Sequence, residues 1–249
     1  MNILLHGMCG FMGREVSKLA DENYMNATIV CGVDGFLKDD FKGVCVKSFD
    51  EAKVDGVQCI VDFSHHSLTE DLLNFAVKNK LPLVLCTTGH TEEEKALIYK
   101  ASKEIPLFYA ANMSIGVSLL VELAKKTAEA MPNADIEIIE KHHNRKVDAP
   151  SGTALMLFEG IKEVRPNAVA QIGRSGQSKR TANEIGIHSL RMGNVVGEHE
   201  VIVCTQNQTI TLKHEAHSRA LFAEGALVAA NFIKDKSAGL YNMKDMLNS

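Results

Sequence analysis

The chain has 249 residues, 45% hydrophobic and 23% charged, a globular balance that excludes general disorder and suffices for one large domain or two smaller ones. Lys and Arg number 27 against 31 Asp and Glu, a formal net charge of −4, so no broad basic field exists to hold nucleic acid or anionic lipid. No apolar stretch approaches the ~18 residues of a membrane span, and the start, Met1-Asn2-Ile3-Leu4-Leu5, lacks the charged region of a secretory signal. The expectation is a cytoplasmic protein whose partners are small molecules or copies of itself, with no nucleic acid and no membrane.

From Asn2 to Tyr109 short apolar runs alternate with helix-like segments, the pattern of βαβ units and a parallel sheet. Strands are predicted at Ile3–His6, Thr28–Val33, Val44–Val46, Cys59–Phe63, Leu83–Cys86 and Leu107–Ala110. Met12, Val16, Leu19 and Ala20 recur at helical spacing, and further helices are predicted over Ser67–Lys78 and Thr91–Lys103. Thr91 followed by three Glu reads as a capped N-terminus with charge suited to the helix dipole.

After Asn112 the pattern changes, and a second domain is expected. A helix over Ser114–Met131 precedes a strand at Asp135–Lys141, a polar loop and a helix ending before Pro166. Residues Gln171–Asn183, rich in Gly, Ser, Gln and basic side chains, read as a mobile loop. Alternation from Glu184 through Leu212 predicts antiparallel strands, two of them joined at Gln206-Asn207. A last helix, Ser218 to about Lys234, is predicted to bury Leu221, Phe222, Gly225, Val228, Ala229, Phe232 and Ile233 on one face. Six scattered cysteines, without a Cys-x-x-Cys pair or a His at zinc-ligand spacing, read as small buried hydrophobes, and no metal is expected.

Two segments carry chemistry. Gly7-Met8-Cys9-Gly10-Phe11-Met12-Gly13 follows a strand and opens a helix, the context of a dinucleotide-binding turn, with spacing Gly-x-x-Gly-x-x-Gly. Its glycines let the backbone approach a pyrophosphate at the helix N-terminus. Asp34 ends the second strand about 20 residues later, where a carboxylate accepts from ribose hydroxyls. The alternative is a turn whose glycines serve only packing, with Asp34 a solvated strand end. Cys86-Thr87-Thr88-Gly89 and Ala110-Ala111-Asn112-Met113 follow later strands, where ligands of open α/β sheets bind.

The second segment, Glu140 to Ala154, sets His142, His143, Arg145, Lys141 and Lys146 ahead of a helix whose first turn, Ser151, Gly152 and Thr153, holds no acid. That helix end suits an anion, and Gly152 lacks the side chain that would hold an anion away. With Lys146 and His143 the site suits a carboxylated substrate, while His142 or Lys146 could deliver a proton. The alternative is a solvated basic loop with a Ser N-cap. Arg219, in the first turn of the last helix, opposes the dipole and calls for an anionic partner: a ribose-phosphate, the substrate or a buried carboxylate. His65-His66 reads as a polar turn, and His188, His199, His214 and His217 as hydrogen-bonded structural residues.

With HHNRKVDAPSGTA, the glycine turn, CTTG at Cys86–Gly89, ANMSIGV at Ala111–Val117, VGEH at Val196–His199 and SRALFAEGA at Ser218–Ala226, nearly the whole chain resembles the bacterial dihydrodipicolinate (4-hydroxy-tetrahydrodipicolinate) reductases of lysine and diaminopimelate biosynthesis. The resemblance implies an α/β fold: a Rossmann-like parallel-sheet dinucleotide domain, 1–113 and 220–249, and a smaller α+β domain with a mixed open sheet, 114–219, for substrate and for assembly as a homotetramer. It makes His142 the catalytic acid with Lys146, and places a small dicarboxylate on His143, Lys146, Ser151, Gly152 and Thr153. It assigns NADH or NADPH to Gly7, Gly10, Phe11, Met12, Gly13, Asp34, Cys86, Thr87, Thr88, Ala110, Ala111, Asn112 and Met113, with Arg219 a further candidate. Hydride addition to a conjugated imine builds electron density that a nearby proton donor or cation must neutralise.

Two departures bear on detail. Family members that use NADPH readily often carry a cation in the glycine turn or beside the acid, where this chain has Phe11 and Gly35, with Lys38 near enough in sequence to substitute. Asn144 and Arg145 replace a more frequent Arg-His order. The competing readings are another two-domain dehydrogenase of amino-acid metabolism, and a non-catalytic NAD(H)-sensing module, for which no DNA-binding segment is visible.

Overall fold

The computed structural model describes residues 1–37 and 44–249; Lys38 lies outside the described residues. The chain divides into two compact units, Met1–Ser114 with Ala220–Ser249, and Ile115–Arg219.

The first unit begins β1 (Asn2–His6), α1 (Phe11–Asp21), β2 (Thr28–Val33), β3 (Cys45–Val46), β4 (Cys59–Asp62), α2 (Thr69–Asn79), β5 (Leu83–Leu85), α3 (Glu92–Ala101) and β6 (Pro106–Tyr109). These strands pair in parallel. A sheet covered on both faces needs apolar side chains on both, and Ile3, Leu4, Leu5, Ile60, Val61, Leu83, Val84 and Leu85 are all fully buried. α3 starts as its sequence predicts: Thr91 Oγ1 accepts from the Glu94 amide at 3.2 Å and the Glu94 carboxylate accepts from the Thr91 amide at 2.8 Å.

The second unit comprises α4 (Ile115–Ala130), β7 (Asp135–His142), α5 (Gly152–Val164), β8 (Val169–Ile172), β9 (Glu184–Arg191), β10 (Gly197–Cys204) and β11 (Thr209–Ala216), in a sheet ordered β11-β10-β7-β9-β8. Leu120, Ala124, Leu157 and Ile161 of the helices pack on Ile136, Ile138, Ile185, Ile187, Val201 and Val203. Two expectations are corrected. β9 runs parallel to both β7 and β8, and only β10 is antiparallel to its neighbours, β7 and β11: alternation reports which face a residue occupies, whereas direction follows from the connections, α5 between β7 and β8 and residues 173–183 between β8 and β9. Gln171 and Ile172, assigned to the mobile loop, belong to the edge strand β8. The hairpin at Gln206-Asn207 is present, with the Thr205 amide donating to the Gln208 carbonyl at 2.9 Å.

The chain then completes the first unit with α6 (Ala220–Ile233), β12 (Gly239–Tyr241) and α7 (Met243–Leu247), giving the sheet order β12-β6-β5-β4-β1-β2-β3. β12 and α7, three and five residues long, are too short for periodicity to reveal. α6 is not one-faced as expected. Ala223, Gly225, Ala226, Leu227, Ala229, Ala230 and Ile233 are buried while Phe222 and Phe232 are only half-buried, because small residues let the helix backbone approach its neighbours. A Cβ on Gly225 would lie 1.8 Å from the Met113 carbonyl oxygen. Among the described residues no helix is long and apolar enough to cross a membrane.

Candidate active site

At the carboxyl end of β1 the backbone folds sharply. The Gly7 amide donates to the Val33 carbonyl at 2.9 Å and its φ is +79°, where a Cβ would lie 2.5 Å from the Phe63 carbonyl oxygen. A Cβ on Gly13 would lie 2.2 Å from the Gly7 oxygen. Gly10 differs: it is the N-cap of α1, whose first turn holds no acid, and its Cβ would approach only the Gly7 oxygen, at 3.2 Å. The outer glycines therefore serve packing, and the middle one keeps the helix end open to an anion. Asp34 is not a solvated strand end. It is buried, accepting from the Cys9 amide at 2.8 Å and the Phe36 amide at 2.9 Å, so the acid braces the turn. Phe11 is 51% exposed and Met12 half-buried.

The candidates after later strands separate by exposure. Cys86 is buried and burial pushes its thiol upward, so only its backbone can face a ligand. Thr87 turns inward, donating to the fully buried Asp62 at 2.6 Å, whereas Thr88 is exposed. Ala110 and Asn112 are half-buried, Ala111 is exposed and Met113 is buried; the Asn112 side chain accepts from the Ser114 amide at 2.9 Å. Arg219 stands one residue ahead of α6, not within its first turn, and is exposed.

In the second unit β7 sets alternate side chains inward. Ile136 and Ile138 enter the core, and the same face continues with the buried polar pair Glu140 and His142. Glu140 Oε2 and His142 Nδ1 lie 2.6 Å apart. Arg191 of β9 donates to both Glu140 oxygens, at 2.8 and 2.7 Å, and to the Asp148 carbonyl at 2.7 Å. The Ser151 amide donates to Glu140 Oε1 at 3.1 Å. Burial alone would raise the Glu140 carboxyl, but hydrogen bonds from Arg191, Ser189 and His142 outweigh it and hold the group at about 2. Burial lowers the His142 imidazole, opposed by the Glu140 contact.

Ser151 caps α5, accepting from the Ala154 amide at 3.2 Å, and its hydroxyl lies 3.0 Å from His199 Nε2. Burial first, and then His142, push His199 down to about 4, so it is neutral at pH 7. Its ring meets that of His142 edge-on at 5.1 Å. Gly152 is exposed and an added Cβ would meet nothing within 4 Å, so the space ahead of the helix is open there. Thr153 and His143 are half-buried. Lys146 pairs with the exposed Asp148 at 2.8 Å and donates its amide to the His143 carbonyl at 3.1 Å. The segment is thus a buried network capped by a polar loop. Sequence reasoning left Glu140 without a role, gave His199 only a structural one and missed Arg191. The one available signal was Glu140 falling in phase with Ile136 and Ile138.

Residues 1–113 match the family model "Dihydrodipicolinate reductase, N-terminus" and residues 116–247 match "Dihydrodipicolinate reductase, C-terminus". The chain belongs to the dihydrodipicolinate reductase family. A 4-hydroxy-tetrahydrodipicolinate reductase of Clostridium tetani is 46% identical, covering 100% of this chain and 98% of the relative. One of Clostridium novyi is 44% identical, covering 99% and 98%. The dipicolinate-bound dihydrodipicolinate reductase of Paenisporosarcina sp. TG-14 superposes with a TM-score of 0.81 at 25% identity over 97% of each chain. The C-terminal family model extends across α6 to α7, although those elements fold with the first unit.

Proposed function

We propose that this reductase converts 4-hydroxy-tetrahydrodipicolinate to tetrahydrodipicolinate, with loss of water, in lysine and diaminopimelate biosynthesis. The observation that carries this reading is the juxtaposition of Glu140, His142 and Ser151 at the open N-terminus of α5. The dipicolinate held by the Paenisporosarcina relative is a planar dicarboxylate, and the same chemistry suits this helix end. His143, Lys146, Ser151, Gly152 and Thr153 bind the carboxylates, and His142, with Lys146, supplies the proton that neutralises the reduced ring.

The first unit is the dinucleotide-binding domain. An acid-free helix end, a solvent-exposed Gly10 and the buried Asp34 carboxylate fit a pyrophosphate and an adenosine ribose. NADH or NADPH supplies the hydride when bound. Around it, Gly7 to Gly13 hold the pyrophosphate, Asp34 the ribose, and Thr88 with the 110–113 segment the nicotinamide side. Arg219, the last residue of the second unit, is a further candidate for an anionic group of the cofactor. The second unit binds substrate and assembles a homotetramer through the sheet face opposite α4 and α5, where half-buried Ile139 and Ile202 lie among the ion pairs of Glu198 with Lys141 and Lys213, both at 3.0 Å. A sedimentation mass of four chains is expected.

The test is oxidation of NADH with freshly generated cyclic substrate. Turnover on it, and none on an open-chain semialdehyde or oxo acid, is the expected result. Equal turnover on the open-chain compounds would refute the reading.

A further inference from the structure

We infer that Glu140 is a positioning residue of the reaction, setting which nitrogen of His142 faces the substrate and tying that imidazole to the N-terminus of α5. The inference rests on the reading of His142 as proton donor. Glu140 is wholly buried and donors converge on it from several elements, among them the two Arg191 nitrogens, His142 Nδ1 and the Ser151 amide. An ionised carboxylate only accepts, so His142 Nδ1 carries a hydrogen and Nε2 is the atom left for chemistry. A Cβ on Gly197 would come within 3.1 Å of Nε2, so the glycine on the neighbouring strand keeps that atom uncrowded.

A purely structural account is the weaker one. A buried carboxylate with its guanidinium partner offers little net stability over apolar residues of similar size, and this strand already places Ile136 and Ile138 on the same face. What the charge adds is a joint: one side chain holds the imidazole of β7, the guanidinium of β9 and the amide that precedes the anion-facing turn of α5. The groups facing His142 are Glu140 on β7, Lys146 and its partner Asp148 in the loop, Arg191 on β9 and His199 on β10; His214 on β11 acts on His199. Among them Glu140 favours the imidazolium, whereas Lys146 and Arg191 oppose it.

The experiment follows the histidine nitrogens of the full-length protein by NMR through a pH titration, beside the pH profile of kcat. In the parent, the neutral form of His142 should be the Nδ1-protonated tautomer, so that the proton gained on titration sits on Nε2. Glu140→Gln should lower the His142 midpoint. Because the acid must be protonated, the limb on which activity falls with rising pH should move down with it. Turnover should drop at least about tenfold, with the KM for NADH unchanged, and Glu140→Asp should restore part of both. Arg191→Gln removes an opposing cation and should move the midpoint up, which keeps the test available if Glu140→Gln does not fold. An unchanged His142 tautomer and midpoint in Glu140→Gln, or shifts of the same sign in Glu140→Gln and Arg191→Gln, would overturn the role of Glu140 and leave His142 as donor. A shifted midpoint with an unmoved kcat profile would overturn the donor assignment itself.

Discussion

In the first unit the groups proposed to meet a ligand are mostly main-chain ones, shaped by glycines at positions 7, 10 and 13, whereas in the second they are side chains gathered from three strands and a loop. The first unit keeps its buried strands almost wholly apolar and confines polarity to the carboxyl ends, as with Asp34 and Asp62. The second carries polarity into the strand interior, at Glu140, His142 and His199. Binding a large dinucleotide needs backbone shape and a helix end. Moving a proton needs titratable groups whose surroundings are fixed. On the proposed function the two units divide those requirements.

The sharpest way to break that contrast is to add one methyl group to the glycine turn. Gly13→Ala forces a Cβ against backbone on both sides, since Met8 as well as Gly7 lies within 2.7 Å. Overpacking of this kind costs about 1–3 kcal/mol; with the turn displaced, calorimetry should show at least a hundredfold loss of NADH affinity, with the pyridine-2,6-dicarboxylate site retained in a variant that still folds. Undiminished NADH binding would show that the turn is not the dinucleotide site.

A smaller effect is expected where the two functions must meet. Hydride transfer requires cofactor and substrate to be bound together, so calorimetry should find pyridine-2,6-dicarboxylate binding at least tenfold more tightly with reduced cofactor present, about 1.4 kcal/mol of coupling. Equal affinity in both conditions would show two independent sites.

The smallest expected effect concerns which cofactor is used. Asp34 is buried beside the turn, Gly35 offers no side chain and Phe36 is 90% exposed, so no cation among these residues meets a ribose 2′-phosphate, which the carboxylate repels. The kcat/KM for NADH should equal or exceed that for NADPH at one ionic strength. A tenfold preference for NADPH, about 1.4 kcal/mol, would show a cation outweighing Asp34.

The same division explains what could be read in advance. The first six strands and the cap of α3 follow from apolar runs and from Thr91-Glu94, because buried parallel strands and capping boxes are local patterns. The glycine turn is local too, and Asp34 lies within one βαβ unit. The network of the candidate active site is not local. Arg191 and Glu140 are 51 residues apart and Ser151 and His199 are 48; they meet only because β9 and β10 both flank β7. The parallel direction of β9 was hidden for the same reason, since pleating is identical for either direction. His142, Lys146 and the α5 N-terminus were legible because they share one loop. The partners that fix them were not.

The most direct test of this division is Lys146→Ala, measured for turnover and NADH affinity on the same preparation. Lys146 sits in a polar loop, pairs with an exposed carboxylate and contributes nothing to the core, so the melting temperature should barely change. Turnover on the cyclic substrate should fall by about 10²-fold or more, the scale of a lost acid or electrostatic stabiliser, while the NADH Kd stays within about twofold. Near-normal turnover, or a loss of turnover matched by an equal loss of NADH binding, would contradict the account.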